Sequence, residues 1–357
     1  MKNFIMSLTA RQRKWAVPAI IGVFLFFAGT IFINVTVGNL YDQTCADRWS
    51  KEGDFAQLTC FMPVGEMPDE YFFLNIAHTI EEKYKEQSIE APAEGRLFVD
   101  AYSVEGNLNL STDNGSVTLH TIGVTDDFFL FHPVSMIGGS YFNDDMLMKD
   151  GILIDEDAAW QLYGSNDVVG MPVYVGGVPL YIRGVIDRSE GHLEEAAGLE
   201  KSVGYVSMET INAYGEIQSG CTYEAIMPNP VEGFANKIFS EAIGDSDNKN
   251  IIIENSERFS GSNLWKTAKE FGVRSMTRKN IVFPYWENVA RGYEDYLSVV
   301  YVVKTAGLIV FLILIVLFIR AKWKVKTWTF KSVGIKGIRR MKELWKNYSK
   351  KEEEQLP

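Results

Sequence analysis

The chain has 357 residues, enough for about two average domains. It is 46% hydrophobic and 23% charged, with a formal net charge of −11, which excludes collagen-like, coiled-coil and wholly disordered chains. Its three cysteines are too few for a disulfide-dense small domain. The charge is segregated. Residues 1–15 carry four basic residues and no acid, and residues 320–351 carry twelve basic residues against one acid, Glu343. Residues 16–319 between them hold 19 basic and 42 acidic residues, a net −23. A nucleic-acid binder needs positive charge on a folded surface. Here the folded part is the acidic part, so nucleic acid is not an expected partner.

Residues 16–37, AVPAIIGVFLFFAGTIFINVTV, contain no formal charge and are long enough to cross a hydrocarbon core of about 30 Å. Arg11, Arg13 and Lys14 precede the run, and Asp42 and Asp47 follow it. The positive-inside bias then puts the N-terminus in the cytoplasm. A cleaved signal peptide is the alternative, but its apolar region is about 7–15 residues and ends in a small-x-small site, and neither fits. Cys45 and Cys60 follow on the outer side, where oxidation is permitted. Paired, they would close a loop of about 15 residues and stabilise the fold by about 3 kcal/mol; unpaired, they are two buried thiols.

The spacing of Phe72, Phe73, Ile76, Ile80 and Tyr84 predicts a helix over 68–87. His78 lies beside that stripe with no second ligand nearby, the setting of a packing or surface histidine. Strands are predicted over 96–104 and 116–124, with the turn-rich GNLNLSTDNG between them. Residues 151–154 read as a strand. Asp155 is an N-cap for a helix over 156–163 that Gly164 ends. Residues 173–175 and 180–185 read as a hairpin around Gly176-Gly177. A strand over 221–227, a helix over 231–243 and a strand over 250–254 complete an α+β pattern, with Cys221 packing as a small apolar residue.

The second apolar run, residues 299–319, is followed at once by Arg320, Lys322, Lys324 and Lys326, a stop at the cytoplasmic face. Trp15 and Trp323 sit where belt aromatics belong. Lys304, the one charge within the run, is either an intramembrane functional site or a snorkelling lysine; its place near the outer end favours snorkelling. The expected layout is a cytoplasmic N-terminus (1–15), a first membrane helix (16–37), an extracytoplasmic domain (38–298), a second membrane helix (299–319) and a cytoplasmic basic tail (320–357). That is a two-pass protein of the cell membrane, with both termini inside.

The motifs Asp127-Phe128-Phe129, Gly138-Gly139 with Phe142, Asp155-Glu156 with Ala158-Ala159, and Leu162-Tyr163-Gly164 occur in order, followed by Val169-Gly170, Gly176-Gly177 and Gly184-Val185. This order resembles the extracytoplasmic core domain of MacB-type ABC-transporter permeases. The resemblance implies a two-lobed α+β domain between two membrane helices, a porter-like βαβ lobe carrying a glycine-rich β insertion. Gly138, Gly139, Gly164, Gly170 and Gly184 would then be fold-specifying glycines, with Gly138, Gly164 and Gly184 read at turns and helix ends. The family commonly has arginine before the aromatic; Ser140 stands there instead, so no contact of that arginine carries over.

The tail offers two readings. Phe330, Val333, Ile338, Met341 and Leu344 form an apolar stripe flanked by Lys331, Lys336, Arg339, Arg340 and Lys342, as in a helix lying on anionic lipid. Alternatively, Phe330-Lys331-Ser332-Val333-Gly334 followed by Ile338-Arg339-Arg340 resembles the cytoplasmic coupling segment of FtsX-like permeases, which docks on an ATPase subunit. Gly334 and Gly337 would each cost a plain helix about 1 kcal/mol, which favours coupling. Those permeases carry two further membrane helices, so either a further permease subunit or a homodimer partner supplies them, or the chain is a pared-down permease-like protein.

Catalytic motifs are missing from the sequence: G-x-x-x-x-G-K-[ST], H-E-x-x-H, C-x-x-C and G-x-S-x-G do not occur. Glu194-Glu195 is the nearest thing to an acid pair, and reads as solvated surface. The expectation is a non-catalytic permease-like subunit, without cofactor or metal, that relays the motion of a partner ABC ATPase to its outer domain. The alternative is a membrane-anchored binding or sensing protein.

Overall fold

The computed structural model describes residues 10–50, 55–65, 67–91, 95–125, 127–142, 149–187, 191–197, 202–245, 247–271, 277–278, 280–324 and 341–342. The chain divides into two units, residues 1–29 with 303–357, and residues 30–302. The first unit contains most of two long helices, α1 (Ala10–Gly38) and α10 (Tyr285–Lys324). The stretches Lys14–Gly38 and Tyr285–Ala321 are apolar and long enough to cross a membrane. Inside this unit the helices meet at Gly22 and Gly307, where a Cβ on Gly22 would stand 2.5 Å from the Gly307 carbonyl oxygen. Small residues of this kind let two apolar helices approach backbone to backbone. Lys304 Nζ lies 5.9 Å from the Phe26 ring centroid. Helix α10 starts at Tyr285, before the apolar run.

The second unit is built on one sheet. After a 3-10 turn (Tyr41–Gln43) and the short α2 (Cys45–Trp49) come β1 (Phe55–Phe61), α3 (Glu70–Glu86) and β2 (Val99–Thr112). Asp69 caps α3 by accepting from Phe72 N at 2.9 Å. Near the other end of the domain, β10 (Thr222–Pro228), α8 (Phe234–Ile243) and β11 (Ile251–Glu254) repeat the pattern. The four strands lie in the order β11-β1-β10-β2, all neighbours antiparallel. This is a split βαβ pair. Helices α3 and α8 cover one face, burying Phe73, Ile76, Ile80, Tyr84 and Phe239 against Leu58, Cys60 and Tyr223.

The insertion between the halves holds β3 (Gly115–Val124), α4 (Phe128–Phe131), β4 (Met136–Gly139), β5 (Gly151–Asp155), α5 (Glu156–Tyr163), β6 (Pro172–Val175) and β7 (Val178–Ile186). It ends with α6 (His192–Ala196), β8 (Val203–Ser207), α7 (Met208–Tyr214) and β9 (Glu216–Ile217). Pairings β2-β3, β3-β8, β8-β5, β5-β7, β7-β6 and β6-β2 close a ring of six strands around Leu108, Leu119, Ile152, Ile154 and Ile182. Strand β2 belongs to both parts: Val99–Ser103 pairs with β10, and Ser103–Thr112 with β3. The two lobes therefore share one backbone ladder.

The GNLNLSTDNG segment is the main departure from the sequence expectation. It is strand up to Thr112, because Leu108 pairs with Leu119 and Leu110 with Val117 inside the ring, and the reversal is made by Asp113-Asn114 alone. Asp155 does cap α5, accepting from Ala158 N at 2.8 Å, and also accepts from Val203 N at 2.9 Å. Gly164 ends α5 in the left-handed region. Gly138 and Gly184, read from sequence at turns or helix ends, lie inside β4 and β7 instead. Their neighbour Gly139 has the strict requirement. Its φ is +83°, and a Cβ there would sit 2.1 Å from the Arg183 carbonyl oxygen. Gly138 has open space at the same position. Gly139→Ala should therefore destabilise the full chain by more than about 3 kcal/mol, while Gly138→Ala stays within about 0.5 kcal/mol, both read by thermal unfolding.

Candidate functional site

The sheet face opposite α3 and α8 is where the sequence breaks its apolar alternation. Gln57 and Thr59 on β1 and Glu224 on β10 all point there, and all are buried. Such groups persist in a core only when paired. Three segments cover this face: the turn leaving α1, the segment around α4, and the first turns of α10.

Glu224, 2% exposed on a central strand, is met by His132, 1% exposed. His132 Nε2 lies 2.5 Å from Glu224 Oε2, and its Nδ1 lies 3.0 Å from Asp42 Oδ1. Burial alone would push the imidazole pKa down. The Glu224 and Asp42 carboxylates outweigh that and raise it to about 9, so at neutral pH both ring nitrogens donate. The ring also packs 4.4 Å from Trp286 of α10 and 4.8 Å from Phe128. Thr59 Oγ1 donates to Glu224 at 3.0 Å and accepts from Asn255 Nδ2 at 2.8 Å.

Asn255 leads to a second charged centre. Arg258, 4% exposed, donates from both Nη atoms to Glu287 (2.6 and 2.8 Å), from Nε to Glu294 (2.6 Å) and from Nη1 to Gln43 (3.1 Å). The two-pronged contact with Glu287 is the geometry guanidinium suits and ammonium does not. Arg291 donates from Nε to Glu287 at 2.8 Å. Burial would raise the Glu287 pKa, but Arg258 and Arg291 hold it below the usual carboxylate range. Gln57 links this centre to the chain leaving α1, donating to the Asp42 carbonyl at 2.7 Å and accepting from Cys45 N at 3.0 Å. At the start of α10, Tyr285 N donates to Glu105 at 3.4 Å and the Tyr285 and Tyr205 hydroxyls lie 3.1 Å apart.

The outcome is one seam, Asp42–His132–Glu224–Thr59–Asn255–Arg258–Glu287, buried except at Asp42, tying the outer ends of α1 and α10 to the central strands of the sheet. It holds charges in fixed positions within the domain. Among the described residues no group of three or more His, Cys, Asp or Glu side chains is arranged to hold a metal ion.

The sequence-predicted sites fare unevenly. Cys45 and Cys60 are not bonded: both are free, buried thiols. Cys45 faces the seam, its Sγ donating to the Leu130 carbonyl at 3.1 Å, while Cys60 belongs to the core under α3 and α8, on the other face. Burial pushes both thiols up to about 12. Cys221 is buried in the same core as Cys60, as expected of a small apolar residue. Phe330, Lys331, Val333, Gly334, Ile338, Arg339 and Arg340 lie outside the described residues. His132, Glu224 and Arg258 were not singled out by sequence reading. The available signal was a glutamate within the strand TYEAIM, a position that burial makes untenable without a cation.

No family model matches the chain. An 83-residue stretch, 23% of the chain, is 29% identical to the macrolide export ATP-binding/permease protein MacB of Pasteurella multocida, and spans 13% of that relative's length. Over that stretch the chain is similar to MacB. Solved structures similar to this chain include the periplasmic region of MacB from Actinobacillus actinomycetemcomitans (14% identity, TM-score 0.38, covering 56% of this chain and 88% of that one). The extracellular domain of the noncanonic ABC-type transporter YknZ from Gram-positive bacteria is another (14% identity, TM-score 0.35, 55% and 99%). A domain of a permease protein from Porphyromonas gingivalis is a third (13% identity, TM-score 0.34, 57% and 90%).

The seam makes the domain pH-sensitive at the alkaline end. Because the folded pKa of His132 lies above the 6.5 of a free histidine, its stabilisation is fully present below pH 6.5 and is lost as pH rises through about 9, about 3 kcal/mol in all. Thermal unfolding of the full chain in detergent should therefore show stability falling over that window. His132→Gln should be less stable at pH 6 and should lose most of the pH dependence.

Proposed function

We propose that the protein is a non-catalytic permease-type membrane subunit of an ABC-transporter assembly, relaying motion between a cytoplasmic ATPase partner and its MacB-like extracytoplasmic domain. The seam is the observation that carries the reading. A passive anchor needs only a flexible tether, whereas relayed motion needs both membrane helices stiffly joined to the element they move. Here Arg258 alone bonds Gln43, just past α1, and Glu287 and Glu294 on α10. The Pasteurella multocida MacB relative, an export ATP-binding/permease protein by name, supports the same reading.

In this proposal residues 16–37 and 299–319 cross the cell membrane, both termini lie in the cytoplasm, and residues 38–298 face outward. Phe330, Lys331, Val333, Gly334, Ile338, Arg339 and Arg340 meet the ATPase. A further permease subunit or a second copy completes the assembly, and ATP hydrolysis belongs to the partner. Purification of the full chain from native membranes should bring down a nucleotide-binding subunit identifiable by mass spectrometry. A variant lacking residues 323–357 should recover it at about a tenth of that level or less, as loss of a single docking surface implies. Undiminished recovery would reject the coupling role of the tail.

A further inference from the structure

The segment between β11 and α10 contains a helix that neither the seam nor the proposed coupling uses. Helix α9 (Gly261–Glu270) is capped by Ser260, whose Oγ accepts from Asn263 N. It turns Leu264 into a small core with Ile33 and Leu297, lined by Val37, Phe259, Val300 and Tyr301. Ile33 and Val37 lie toward the end of the first apolar run, and Leu297, Val300 and Tyr301 flank the start of the second. This packing fixes α9 at the level where both long helices leave their apolar stretches. Gly261 sits so close to Tyr301 that a Cβ there would lie 2.8 Å from the hydroxyl.

Most of the rest of α9 is exposed, with Gly261, Thr267 and Ala268 half-buried, and its composition is unlike the rest of the domain. Trp265 is 44% exposed, and Lys266, Lys269 and Phe271 are exposed. Lys269 Nζ lies 5.7 Å from the Trp265 ring centroid. Among the described residues neither lysine is in an ion pair. Residues 261–280 hold five basic residues, Lys266, Lys269, Arg274, Arg278 and Lys279, against the single acid Glu270, within a region whose net charge is −23. A local basic excess beside an exposed tryptophan suits a surface that is apolar on one side and phosphate-rich on the other.

We propose that α9 lies in the plane of the membrane on its outer face, with Trp265 at headgroup depth and Lys266 and Lys269 held against the phosphates of anionic lipid. The proposal rests on α1 and α10 crossing that membrane. It gives the domain a third foot beside the two helices, so the level of the seam follows the lipid surface. The domain's overall negative charge would repel the same surface, which localises the attraction to this helix.

The test uses the full chain in nanodiscs of phosphatidylcholine alone, or of phosphatidylcholine with phosphatidylglycerol, treated with a water-soluble amine-acylating reagent and read by mass spectrometry. Lys266 and Lys269 should be modified about fivefold more slowly in the anionic discs, the effect expected of one cation held near an anionic surface, with Lys83 and Lys249 unchanged. In Trp265→Ala, labelling of the two lysines in the anionic discs should rise toward the neutral-disc rate. Equal rates in both discs, in a chain that has inserted, would overturn the proposal while leaving the membrane reading intact. Protection that follows protein concentration and ignores lipid would assign this face to a second copy and overturn it as well. Extraction of the full chain from native membranes by alkaline carbonate would sink the membrane reading itself.

Discussion

A carboxylate cannot stay ionised inside a sheet unless a cation is brought to it. Removing one partner from a buried pair costs about 3–5 kcal/mol. Glu224, in the middle of a central strand, imposes that constraint on this fold. Its partner, His132, comes from the segment after α4, and His132 in turn takes Asp42 from the turn after α1 and packs on Trp286 of α10. One buried charge thus determines where both long helices must leave the domain.

The Arg258 centre repeats the solution with a stronger cation. A guanidinium that bonds Glu287 in two-pronged fashion and reaches Glu294 and Gln43 permits little freedom of rotation or sliding between those segments. Together the two centres convert a junction that could have been an apolar contact into one with a defined register. Buried ionic groups are poor sources of net stability compared with apolar packing. The shared strand β2 then carries the constraint from the split βαβ lobe into the closed ring of strands.

Much of the fold was legible. The 3.6-residue spacing in α3, the Asp155 cap, the Gly164 stop and the two-residue hairpin loop at Gly176-Gly177 are local signals, and the structure bears each of them out. The motif order that resembled MacB-type permeases anticipated the split lobe with its insertion. The extent of β2 was hidden because asparagine and serine at its outward positions imitate a turn, and only the pairing with β3 reveals the alternation. The sequence left the cysteine pair open because chain separation says nothing about which face of a strand a side chain occupies. The seam was invisible for a related reason. Its members, Asp42, His132, Glu224, Arg258 and Glu287, are scattered over the chain, and none stands in a motif.

The most direct measurement of the central claim is hydrogen–deuterium exchange on the full chain and on Arg258→Met, which keeps volume and removes the charge. If the seam locks both helix exits to the sheet, exchange should accelerate together in residues 41–49, 222–228 and 285–298. The strands of the ring and helices α3 and α8 should remain at wild-type rates. Acceleration confined to the residues next to position 258 would contradict the account, because the helix exits would then be held by something other than the buried charges.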